Sequence, residues 1–123
     1  MNTLLLSLYD TLGLALDDEE PVLFFGDDFA VHFEESASGL EMVCPLGALP
    51  ADAGTLQRLL QHNFANRVTL AADADGELLL ALLRLPDDSS GAELQAGLEF
   101  LVGAARGLQA ELGLGGRLDA QAG

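Results

Sequence analysis

Residues 78–83, Leu-Leu-Leu-Ala-Leu-Leu, constrain the fold more than any other stretch of the chain. The run is short enough for a strand. A strand that is apolar at every position has to be covered on both faces, which calls for layers of structure above and below it. A second apolar run, Val68–Ala72, precedes it, and the two are separated by Asp75-Gly76. Asp-Gly between apolar runs is a strong hairpin signal, because both central residues of a type I′ turn take positive φ. We therefore expect strands over residues 68–72 and 77–83. The acids Asp73, Asp75 and Glu77 raise the alternative of a calcium loop. An EF-hand needs oxygen ligands at its first and last positions. Aligned on Gly76, those positions are Ala71 and Leu82. The stretch reads as a bend, with no metal.

Periodicity organises the rest. Asn2–Leu16 reads as a helix with Leu5, Leu8 and Leu12 on one face and Leu6, Tyr9 and Leu16 on an adjacent one. Two apolar stripes suit either a deeply sunk helix or one that reserves a stripe for a partner. The acidic run Asp17–Glu20 and Pro21 end it. Three strands follow: Val22–Phe25; Phe29–Glu34, where Phe29, Val31 and Phe33 alternate with Ala30, His32 and Glu34; and Leu40–Cys44. Pro50 and Asp52 open a second helix, with Leu56, Leu59, Leu60, Asn63 and Phe64 at helical spacing. Ser90 and Glu93 form a capping box. The helix they start aligns Leu94, Leu98, Leu101, Ala105, Leu108 and Leu112 and ends at Gly113, Gly115 and Gly116. The order α-β-β-β-α-β-β-α predicts one α+β domain, residues 1–112, in which helices pack on a mainly antiparallel twisted sheet, followed by a loose tail, residues 113–123.

Charge narrows the function classes. Twenty acids stand against five bases, all arginine, for a net charge of −15. That balance disfavours nucleic acid and anionic membrane, both polyanions, and favours basic or amphipathic partners. Cys44 is the single cysteine, so no internal disulfide is available. The apolar run Leu4–Leu8 lacks a preceding base and is cut by Asp10, unlike a secretory leader, so the cytoplasm is the expected compartment. His32, His62 and Cys44 are scattered, without metal-ligand spacing. Asp27-Asp28 and Asp87-Asp88 stand at element junctions, where charge is ordinarily solvated. No catalytic residue, metal or cofactor is expected. One absence stands out: residues 53–72 contain no Asp or Glu, and carry Arg58, His62 and Arg67. Two copies of so acidic a chain repel each other, so a self-association surface has to be apolar and free of acids. This segment meets that requirement; it equally suits a core-facing helix with a neutral outer side.

The chain resembles the class I type III secretion chaperones, the Tir-chaperone-like family. The resemblance is carried by "LGLALDDEE" at Leu12–Glu20, "LQRLLQHNF" at Leu56–Phe64 and the hairpin "DADGELLLALLRLP" at Asp73–Pro86, in that order. It extends from Asn2 to about Leu112; Pro21 departs from the small turn residue expected there. It implies a homodimeric, ATP-independent bacterial cytosolic protein that binds the N-terminal segment of a secreted effector in extended form and keeps it export-competent. It further implies a dimer built on the second helix and a nearby strand, here Leu56, Leu59, Leu60, Phe64, Leu80 and Leu82. The effector would lie against the first helix and the sheet, with strand addition at an edge, contacting Leu5, Leu6, Tyr9, Leu16, Phe24, Val31 and Phe33. Two rivals remain: an acidic inhibitor or immunity protein that blocks a basic enzyme, which also needs negative charge and no catalysis, and a protein of the same fold that sequesters a transcriptional regulator.

Overall fold

The computed structural model describes residues 3–15, 21–25 and 29–112. Leu16, the acidic run Asp17–Glu20, Asp27-Asp28 and the tail 113–123 lie outside the described residues. The elements are α1 (Thr3–Leu12), β1 (Val22–Phe25), β2 (Phe29–Ser36), β3 (Gly39–Ala48), α2 (Ala53–Ala65), β4 (Thr69–Ala72), β5 (Leu78–Pro86) and α3 (Gly91–Leu112). Their order is the one expected. The five strands form one antiparallel sheet, β1-β2-β3-β5-β4, so β1 and β4 are its edges.

Local chemistry sets the boundaries. α1 stops at Leu12, short of the expected Leu16, because Gly13 takes φ +76°. Gly13 N–H donates to Asp10 O at 3.1 Å and Leu14 N–H to Tyr9 O at 2.9 Å, the bond pair of a Schellman turn. α2 starts where Asp52 accepts from Thr55 N–H at 2.9 Å. The capping box of α3 forms in full: Glu93 N–H donates to Ser90 Oγ at 3.1 Å, and Ser90 N–H to Glu93 Oε1 at 2.8 Å. β3 runs past the expected Cys44 to Ala48, with a register shift between Pro45 and Gly47. A bulge accommodates the proline, which cannot donate to the ladder. There the buried Gln109 of α3 donates to Leu46 O at 2.9 Å.

The β4–β5 connection is a hairpin, but not the type I′ turn expected. Asp75 does not take positive φ; Gly76 alone does, at +71°. Gly76 N–H donates to Asp73 O at 3.0 Å, and the Asp73 carboxylate accepts from Glu77 N–H at 2.7 Å and Leu78 N–H at 3.0 Å. The acid that suggested a cation ligand is turned back onto its own loop.

α1 and α3 pack together on one face of the sheet. That face carries Val31 and Phe33 of β2, Leu40, Met42, Cys44 and Leu46 of β3, Leu70 of β4, and Leu79, Ala81, Leu83 and Leu85 of β5, all buried. Leu4, Leu5, Leu8 and Tyr9 of α1, Leu59 of α2, Val68 before β4, and Leu94, Leu98, Leu101, Ala105 and Leu108 of α3 complete the core. Each such aliphatic side chain contributes roughly 1.5–3 kcal/mol by its removal from water. Gly97 brings α3 onto β5: a Cβ there would stand 2.7 Å from a methyl of Leu85. No helix among the described residues is long and apolar enough to cross a membrane.

Candidate functional site

The opposite sheet face is where the sequence leaves apolar surface unspent. Register places Val22, His32, Val43, Leu82 and Thr69 in one row across all five strands. The neighbouring row holds Phe24 and Ala30 at the β1 side and Pro45, Leu80 and Ala71 at the β4 side. Val43, Leu80 and Leu82 are half-buried and Phe24 is 76% exposed. Toward one end the face turns charged, with Glu34, Glu41 and Arg84 aligned and Arg84 bridging Glu41 at 2.7 Å. The double-sided apolarity of residues 78–83 thus finds one cover, α1 and α3, inside the protomer. Its second face carries Val43, Leu80, Leu82 and Phe24 and has no such layer among the described residues, since α2 packs on β4 at the edge.

α2 carries the second apolar surface. Leu59 is buried and Leu56 packs against the core, so these two hold the helix to its own domain. Leu60 is 69% exposed and Phe64 96%. Of the six residues expected to form a self-association face, Leu60 and Phe64 are therefore open, Leu80 and Leu82 are half-open on the outer sheet face, and Leu56 and Leu59 support from within. The acid-free segment contributes further at its end, where the Arg67 guanidinium lies 5.0 Å from the ring centre of the exposed Phe100 on α3.

The residues expected to hold an extended segment divide differently. Leu5, Tyr9, Val31 and Phe33 are in the core, with the Tyr9 and Phe33 rings edge to face at 6.2 Å and 76°. They correct the expectation of a groove lined by all seven. The alternation that put Val31 and Phe33 on one face was read properly, but that face is the one beneath the helices. Leu6, at 55% exposure, stays open on α1, as does Leu14 just beyond the helix. Phe24 is open on edge strand β1, on the other side of the sheet. Leu16 lies outside the described residues.

Two polar residues outside the expected sites hold these surfaces in place. Glu35 on β2 continues the inward positions of Val31 and Phe33, and its carboxylate accepts from Leu4 N–H at 2.9 Å and Leu5 N–H at 3.1 Å. Asn63, counted as one position of an apolar stripe, bonds the backbone of Leu70. A polar residue at an apolar period was the available signal in each case. Among the described residues no group of His, Cys, Asp and Glu is placed to hold a metal ion. Burial pushes the Cys44 thiol up to about 11, against a smaller opposing pull from Arg106.

These features define a small α+β protein that presents apolar surface on one sheet face and on a peripheral helix. Residues 3–113 match the type III secretion chaperone domain, and the chain belongs to that family. It is 46% identical over 102 residues to the chaperone protein SigE of Salmonella typhi, covering 83% of this chain and 90% of that one. It is 27% identical over 101 residues to the chaperone protein IpgE of Shigella sonnei, covering 81% and 84%. Among solved structures, a chain of the heterodimeric ExoU–SpcU complex from the type III secretion system of Pseudomonas aeruginosa superposes with a TM-score of 0.64 at 26% identity, over 91% of this chain and 93% of that one. A chain of the ExsC–ExsE complex shares the fold, with a TM-score of 0.71 at 18% identity over 89% and 90%.

Proposed function

We propose that this protein is a bacterial cytosolic chaperone that works as a homodimer, without catalysis or cofactor. In this reading it binds the N-terminal segment of a secreted effector in extended form and keeps it competent for export. One observation carries the reading. On a chain of net charge −15, the large exposed apolar side chains include one group on α2 and another made of Leu6 and Leu14 at α1 and Phe24 on edge strand β1. The first, Leu60 and Phe64 with Leu80 and Leu82 nearby, suits a second copy, because its own segment is free of acids. The second, Leu6 and Leu14 on the helix side and Phe24 on the outer side, suits an extended peptide. A strand laid beside β1 alternates its side chains between the two faces, so one segment would reach apolar residues on both.

Membership of the chaperone family weighs against the acidic-inhibitor reading, which also requires acids arrayed on the contact surface. Co-expression with the N-terminal segment of a type III-secreted effector tests the proposal. The expected product is a stoichiometric complex containing two copies of this chain, with the segment protected from protease yet lacking a fold of its own. Failure to form any such complex, or binding only to a folded basic enzyme, would overturn it.

A further inference from the structure

We infer that Glu35 is the positioning residue for the α1 half of the effector-binding surface: it holds the N-terminus of α1 on the sheet and so sets where Leu6 stands. This rests on the effector-binding reading above. The inward positions of β2 are Val31, Phe33 and Glu35, so a carboxylate occupies a place where the alternation calls for an apolar side chain. Its two oxygens are both spent on α1, Oε2 on Leu4 N–H and Oε1 on Leu5 N–H. The first N–H groups of a helix have no partner within it, and the positive end of the helix favours an anion. α1 has no acid in its own first turn. Glu35, thirty residues away in sequence, supplies that charge.

Position follows from where the other anchors lie. The C-terminal half of α1 is fixed by the Tyr9–Phe33 ring contact and by the Schellman turn at Gly13. Its start is held by the burial of Leu4 and Leu5 and oriented by Glu35, and a helix of ten residues has little stability of its own. Leu6 follows directly on the two tethered residues and points away from the core that holds Leu4 and Leu5. Without the carboxylate the first turn keeps only the burial of Leu4 and Leu5, its amides lose their partner, and the position of Leu6 is less firmly set.

A double-mutant cycle in the intact protein tests this, using as the probe the N-terminal segment of the secreted effector that co-purifies with it. Leu6→Ser, Glu35→Gln, Glu35→Ala and each Glu35 variant combined with Leu6→Ser are titrated by calorimetry, with backbone hydrogen exchange measured across α1. Glu35→Ala is expected to weaken binding about tenfold, the scale of losing charge-assisted hydrogen bonds, and Glu35→Gln less. In the Leu6→Ser background neither should weaken it further. Leu4 and Leu5 amides should lose protection while those of β3 keep it. Glu35→Gln retains the side-chain shape, so the cycle remains readable if the alanine variant fails to fold. Unchanged affinity on replacing Glu35, where Leu6→Ser alone weakens binding, would overturn the inference and leave the effector reading standing. Full additivity of the two losses would also overturn it, since Glu35 would then act only on stability. Unchanged affinity of Leu6→Ser itself would remove the effector surface on α1, and this inference with it.

Discussion

Asn63 of α2 closes the outer edge of β4 by bonding both backbone groups of Leu70: its Oδ1 accepts from Leu70 N–H at 2.7 Å and its Nδ2 donates to Leu70 O at 3.0 Å. A side-chain amide here takes the place of a neighbouring strand. An open edge is a template for unwanted pairing, and a charge or covering element is the usual protection. Asn63 thus engages one of the four residues of β4, and the effector reading sets the added strand at the other edge, β1, where the Phe25 carbonyl accepts from Arg106 at 3.3 Å. Asn63→Ala leaves a partly buried N–H and C=O without partners, at a cost of about 1–3 kcal/mol. Urea unfolding should report that loss. Asn63→Asp, which keeps the acceptor but not the donor, should fall between the two.

Leu60 and Phe64 contribute little to the protomer, being mostly exposed, and much to the dimer we propose. Leu60→Asp removes an apolar contact worth roughly 1.5–3 kcal/mol and adds charge to an already acidic pair. Light scattering at micromolar concentration should read a dimer for the wild type and a monomer for this variant, with the protomer still folded. A wild-type monomer would contradict the assignment.

Cys44 stands in the middle of the core, and its raised pKa has a definite sign. Stability tied to the neutral thiol is fully present below the ordinary value of 9.0 and is lost progressively as pH rises toward about 11. A thiol reagent at neutral pH should therefore label the native protein only as fast as it opens, and the denatured protein at once. Rapid labelling of the native state would place Cys44 outside the core.

Asp73 titrates in the opposite sense. The N–H groups of Leu78, Glu77 and Gly76 hold its carboxyl below the ordinary 3.8, so its contribution is present above that value and disappears as pH falls through the lower, folded one. Asp73→Ala should lower the melting temperature at neutral pH and have less effect in acid. Calcium and EDTA should leave the wild-type melting temperature unchanged. A chelator-sensitive shift abolished by Asp75→Asn would restore a cation at this turn.

The element order and the core positions of α3 were legible because each rests on a local rule: period, cap or turn residue. Ser90 and Glu93 announced α3 and formed the bonds expected of them. The end of α1 is equally local, written in Gly13, although the apolar pattern runs on past it to Leu16. The partner surface was less legible. Alternation separates the two faces of a strand but does not say which one receives a helix, so Val31 and Phe33 suited groove and core equally. The roles of Glu35 and Asn63 depend on contacts made 30 and seven residues away, which no periodicity encodes. The acid-free segment pointed to α2 as a surface. Only the fold separates Leu60 and Phe64, which face outward, from Leu56 and Leu59, which do not.

The central claim is that an effector segment is held by apolar contacts beside β1, and calorimetry tests it most directly. The N-terminal segment of the secreted effector that co-purifies with it would be titrated into the wild type and into the Leu6→Ser, Phe24→Ser double variant, over a range of temperature and salt. Both substitutions fall on exposed side chains, so the variant should keep its fold and its dimer. The account predicts a negative heat-capacity change, an affinity little altered by about 0.5 M salt, and a loss of at least about tenfold in the double variant. Wild-type affinity in the double variant, together with a complex that dissolves in salt, would contradict it.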